Sequence, residues 1–175
     1  MAESFEEMLS GGHHNSLGRT IEVVDLVLAD RTKFEDLFQC YFSEDELVRL
    51  RVSNGVRRVC KEQPEWVVPY IDRLTDEIAL IDQASTQWTL AILFDMLKKW
   101  LTAEQREKAL QIMKNNLAAH NDWIVLNNSM ETLGKWSKKD ESLQAWLIPH
   151  LERVQGDTRK SVSGRAKKWL GKLVK

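Results

Sequence analysis

The sequence predicts an all-α protein made of about four stacked antiparallel helix pairs, an α-solenoid. Three observations predict it. The apolar triplets Val52/Val56/Val59, Leu90/Phe94/Leu97, Leu126/Met130/Leu133 and Val162/Ala166/Trp169 each have the i, i+4, i+7 spacing of one helix face, and they recur at offsets of 38, 36 and 36 residues. Period-2 alternation bounded by turn residues, the mark of strands, is nearly absent. Capping residues interrupt the helical periodicity at short intervals, while only three prolines and eight glycines punctuate the chain. A unit of this length cannot bury its apolar face alone and must stack on neighbours.

The elements follow in order. Residues 2–9 read as a short amphipathic helix through Phe5, Met8 and Leu9, and Gly11-Gly12-His13-His14-Asn15 as a flexible loop. Ser16 is the expected cap of a helix to Ala29 that buries Ile21, Val24 and Leu28. Phe34, Leu37, Phe38 and Tyr41 mark the next helix. Ser43-Glu44-Asp45-Glu46 has the form of a capping box and opens a helix to about Glu62. Pro64 suits the first turn of the following helix, where its missing N–H costs nothing. Asp82 is the expected cap of a helix to Leu101. Thr102-Ala103-Glu104-Gln105 is a second capping box, for a helix to about Ala119. Asn121 or Asp122, Asp140 and Asp157 then start three more helices. Residues 1–16 thus form an acidic segment and loop ahead of a single domain, 17–175.

The first helix of a pair repeats as well. Trp66-Val67-Val68-Pro69-Tyr70-Ile71-Asp72-Arg73-Leu74 matches Trp146-Leu147-Ile148-Pro149-His150-Leu151-Glu152-Arg153-Val154 position by position. A proline inside a helix removes a hydrogen bond and costs about 3 kcal/mol. Its occurrence twice at one repeat position predicts a kink there. Small residues (Gly55, Ala91, Ser129, Gly164) fall near the middle of each second helix. A kinked first helix, a straight second one and this period resemble the HEAT repeat over about residues 31–175. The resemblance implies a right-handed superhelix whose second helices line a concave binding face. The chain departs from the family in having no clear proline in the 103–119 helix and no Asp-to-Arg ladder at every turn.

Composition bounds the function. The chain is 43% hydrophobic and 29% charged, with no apolar run long enough to span a membrane and no basic, then apolar, leader at its start. Cys40 and Cys60 lack metal-ligand spacing and read as reduced, buried residues, which points to the cytoplasm. Residues 1–50 hold 11 acids and 4 bases, whereas residues 157–175 hold 1 acid and 7 bases. Such a gradient steers charged partners.

At about 100° per residue, the position nine after each triplet's first member lies opposite the core. It is Lys61, Lys99, Lys135 and Gly171. Arg57, Arg58 and Lys168 flank this line, Asn54 and Asn128 lie near it, and Trp100 and Trp136 occupy matched positions about 80° off the core face. A basic ridge of this kind suits an acidic peptide or nucleic-acid phosphates. The same lysines stand in last helical turns, where cations simply complement the helix dipole. Asp95 and Glu131 interrupt the ridge. Trp66, Trp146 and Trp169 are assigned to the core by register, and Trp100 and Trp136 either to grooves between repeats or to stacking on a ligand.

No catalytic constellation stands out. There is no phosphate-cradling glycine loop and no nucleophile beside a base. His13-His14 lacks a third ligand nearby, and the absence of a His-Glu dipeptide separates the chain from di-iron hydroxylases built on HEAT-like repeats. The expectation is a protein- or peptide-binding scaffold without cofactor or metal. The alternatives that the resemblance suggests are a nucleic-acid-binding protein, such as a glycosylase for alkylated DNA bases, and an accessory factor for bilin attachment.

Overall fold

The computed structural model describes residues 3–174, and all regular structure among them is helical. Ala2, placed in the expected first helix, and Lys175, near the expected end of the last, lie outside the described residues, as does Met1. The α-helices are α1 Phe5–Leu9, α2 Thr20–Ala29, α3 Phe34–Gln39, α4 Glu46–Glu62, α5 Pro64–Val67, α6 Ile71–Asp76, α7 Ala84–Leu97, α8 Ala103–Ala119, α9 Trp123–Ser137, α10 Glu141–Val154 and α11 Lys160–Leu173. Short 3-10 turns extend α3 and α7 and link α5 to α6.

The triplets decide the packing. All twelve residues are buried, and they sit on α4, α7, α9 and α11. These four helices lie side by side in chain order, each packed on the next, while α8 and α9, and α10 and α11, close as hairpins. Ala91 and Ser129 are buried, and Thr132 Oγ1 in α9 donates to the Ala91 carbonyl of α7 at 2.9 Å; Gly55 is buried too, but it faces Leu37 of α3 and Val24 of α2. Gly164 is exposed, with nothing near the site of a β-carbon.

Several caps fall where local chemistry puts them. Thr102 accepts from Gln105 N–H while the Gln105 side chain accepts from Thr102 N–H, at 3.2 and 3.0 Å. Asp122 caps α9 and Asp140 caps α10. Other starts differ. Asp45, not Ser43, caps α4, accepting from Leu47 N–H; Ser43 instead accepts from Asp45 N–H one step earlier. Helix α7 starts after Gln83 rather than Asp82, and Gln83 reaches across to the Glu46 carbonyl and Arg49. Asp157 binds the N–H and guanidinium of Arg159, which delays α11 to Lys160. Helix α2 starts at Thr20, not after Ser16, and turns Val23, Val24 and Val27 inward; Ile21 is 42% exposed. Ser16, Ser43 and Asp157 each accept from a backbone N–H two residues on, whereas Gln83 is engaged by α4 across the junction.

The two prolines behave differently. Around Pro69 the helix tightens into a 3-10 turn, Val68–Tyr70, between α5 and α6. Pro149 stands inside the continuous α10.

Candidate functional site

The second-helix face is built from the junctions between neighbouring helices. At the junction of α7 and α9, the Asp95 carboxylate accepts from Lys135 Nζ at 2.7 Å and from the Trp136 indole N–H at 3.2 Å. At the junction of α9 and α11, Glu131 Oε2 accepts from Arg165 at 2.7 Å, Lys168 at 3.1 Å and the Trp169 indole N–H at 3.1 Å. One carboxylate per junction therefore serves a Lys-Trp pair on the next helix. Burial pushes the Glu131 carboxyl up, but the bonds from Lys168, Arg165 and Trp169 outweigh it and hold the group down at about 2.

This arrangement sorts the expected ridge residues. Lys135 and Lys168 are exposed yet ion-paired. Trp136 is buried, with its N–H bonded to Asp95 and the side chains of Lys98 and Arg106 5.5 Å from its ring centre. A stacking role for Trp136 is thereby corrected, because its ring is packed in the core. Asn128 donates to the Ile124 carbonyl one turn back, and Asn54 accepts from Arg58 Nε at 2.6 Å. Both amides are thus engaged within their own helices.

The N-terminal end of the face is different. Lys61 and Lys99 are exposed, and neither has an ion-pair partner among the described residues. Lys99 Nζ lies 4.0 Å from the ring centre of Trp100, which is half-buried. Arg57 is half-buried, and its Nε is shielded from water with no hydrogen-bond partner. Burial, with Arg58 alongside, pulls the Arg57 guanidinium below its ordinary value. Arg58 and Lys61 also line a small cleft against α2, with Ile21, Val24, Asp25 and Leu28.

Trp169 is fully buried, as register predicts, whereas Trp66 and Trp146 are only half-buried against the core. Trp146 stacks on His150 one turn later, ring centres 4.0 Å apart, and burial lowers the His150 value. His13 and His14 are exposed; His13 Nδ1 accepts from Asn15 N–H, and no group of three His, Cys, Asp or Glu gathers among the described residues.

Two features escaped sequence reasoning. Arg51, fully buried in α4, gathers the carbonyls of Leu9, Ser10, Gly11, His13 and Ser16 around its guanidinium. Helical register alone signalled only an arginine on an apolar face. A cleft of about 610 Å³ also opens among α1, α2 and α3, lined by Phe5, Met8 and Leu26 with Glu6, Asp36 and Cys40 at its edge. The Lys-Trp pairs themselves were legible, as Lys99-Trp100, Lys135-Trp136 and Lys168-Trp169, but nothing local tied them to Asp95 and Glu131.

No protein-family model, no curated protein and no solved structure matches the chain. Among the described residues no helix is long and apolar enough to cross a membrane.

Proposed function

We propose that the chain is a HEAT-like right-handed α-solenoid of about four helix pairs that acts in the cytoplasm as a protein- or peptide-binding scaffold, without catalysis. Its binding face is the one carried by α4, α7, α9 and α11. The observation that supports this reading is the uneven use of cations along that face. Asp95 and Glu131 neutralise Lys135, Arg165 and Lys168, while Arg57, Lys61 and Lys99 make no ion pair among the described residues. Cations without an ion pair, one of them, Lys99, over a half-buried tryptophan, have the composition of an interface anchor.

A peptide is favoured over nucleic acid because Trp136, one of the two rings set to stack on bases, is packed away. Affinity capture from an extract of the producing organism tests the reading, with the wild type compared to the Lys61→Glu/Lys99→Glu variant. The expected result is a protein retained by the wild type and lost by the variant. A partner retained equally by both overturns the assigned face. Steeply salt-dependent binding of duplex or single-stranded DNA, with no protein captured, moves the assignment to nucleic acid.

A further inference from the structure

The junctions of the second-helix face share one pattern. A Lys-Trp pair on the later helix meets a carboxylate on the earlier one: Lys135-Trp136 on Asp95, and Lys168-Trp169 on Glu131. Helices α4 and α7 pack together as the others do, and the pair Lys99-Trp100 follows in the 3-10 turn that extends α7, nine and ten positions after Leu90 as Lys135-Trp136 are after Leu126. Yet the position that Asp95 and Glu131 occupy is filled there by Arg57, 38 residues before Asp95. Among the described residues, Arg57, Lys99 Nζ and the Trp100 indole N–H have no hydrogen-bond or ion-pair partner, and Arg57 Nε has lost its water as well. A shielded guanidinium donor without an acceptor is costly, and it is made costlier by the Arg58 charge beside it. By register, Arg57, Lys99 and Trp100 stand where Asp95, Lys135 and Trp136 meet at the next junction, so three donors fall where that junction has one acceptor and two donors.

We propose that the α4–α7 junction is a carboxylate-binding site, built by Arg57, Lys99 and Trp100, that takes an Asp or Glu side chain from an acidic peptide. The identification of a peptide rests on the scaffold reading above; the carboxylate rests on the two filled junctions. In those, the chain's own carboxylate meets an ammonium and an indole N–H, which are the donors left open at the first. An arginine adds a planar donor pair suited to a carboxylate. An Asp or Glu side chain arriving from outside completes the same set with the charge signs satisfied.

The test reads the indole N–H resonances of the seven tryptophans in ¹⁵N-labelled protein. The probe is a capped hexaglutamate peptide at low ionic strength, with capped hexaglutamine and a short oligothymidylate for comparison. Hexaglutamate is expected to shift the Trp100 resonance saturably and to leave Trp136 and Trp169 in place; hexaglutamine shifts none. Arg57→Asp supplies the missing acceptor from within, so its free Trp100 resonance should already stand displaced and its response to hexaglutamate should vanish. Arg57→Gln, which keeps the bulk without charge, should weaken binding about tenfold. An unmoved Trp100, or an Arg57→Asp chain that binds as the wild type does, overturns the proposal. So does a Trp100 that answers oligothymidylate but not hexaglutamate, since phosphate is then the ligand. If hexaglutamate fails while the captured partner is still lost in Lys61→Glu/Lys99→Glu, the carboxylate site falls and the scaffold stands. A Trp100 response without any captured partner removes the scaffold and keeps the site.

Discussion

The Trp169 ring of α11 occupies the space where a β-carbon on Gly134 of α9 would stand. The glycine is needed for close approach rather than for an unusual backbone, since it lies within a regular helix. Trp169 is fully buried and its indole N–H is held by Glu131, so the ring cannot swing aside freely.

Gly134→Ala is therefore expected to destabilise the fold by about 1–3 kcal/mol, as overpacking of a dense core does. This is opposite in sign to the gain of about 1 kcal/mol that alanine brings at an open helical glycine. Urea denaturation checks it, and a double-mutant cycle with Trp169→Leu should show a favourable coupling, because the smaller side chain frees the space. Additive effects would place the cost elsewhere.

Asp95 and Lys135 should contribute unequally to stability although they form one ion pair. Asp95 holds the N–H of the buried Trp136, and losing it leaves that donor unpaired at a cost of about 1–3 kcal/mol. Lys135 is exposed, and removing it should cost about 0–1 kcal/mol. Thermal or denaturant melts of Asp95→Ala and Lys135→Ala measure the difference; equal losses would mean that the ion pair, not the indole bond, matters.

Glu131 makes stability depend on acid. Its carboxyl sits at about 2 in the folded chain against an ordinary 4.5. The unfolded chain binds its proton first, so the contribution is complete above about 4.5 and is lost as pH falls toward 2. Discounted for the partly exposed lysine, the contribution is about 2 kcal/mol. The difference in unfolding free energy between wild type and Glu131→Gln should shrink steadily through that window. A difference that stays constant with pH argues against the shifted carboxyl.

Arg51 ties the chain start to α4. Its guanidinium bonds to the Leu9 and Gly11 carbonyls at 2.6 Å each, and Gly18, at φ +52°, passes so close that a β-carbon would meet the guanidinium carbon at 2.8 Å. Arg51→Met should cost on the order of 3 kcal/mol by leaving carbonyls unsatisfied. Arg51→Lys should recover little of it, because an ammonium cannot spread its donors as the planar fork does. Hydrogen exchange should report the loss first in residues 9–18.

Both cysteines are buried and free, and burial pushes their thiols up to about 12. A thiolate-directed reagent near neutral pH should react with neither in the folded chain and with both in urea. Fast labelling of Cys40 without denaturant would show that the cleft among α1, α2 and α3 opens to its sulfur.

The sequence by itself determined which residues are apolar and helical and where several helices begin. The four triplets, the Thr102–Gln105 box and the caps Asp122 and Asp140 are all written within one or two turns of chain, and periodicity and capping act over that range. It also placed Lys61 and Lys99 outward. Tertiary structure alone decided which charges are free. Lys135 and Lys99 are alike in register and Lys168 flanks the same line, but partners 40 and 37 residues earlier neutralise Lys135 and Lys168. The same long reach joins Arg51 to the carbonyls of residues 9–16 and sets Trp169 against Gly134. Such pairs form only when one helix is laid beside the next, because the distance between junction partners is set by packing across the stack and not by the period along a helix.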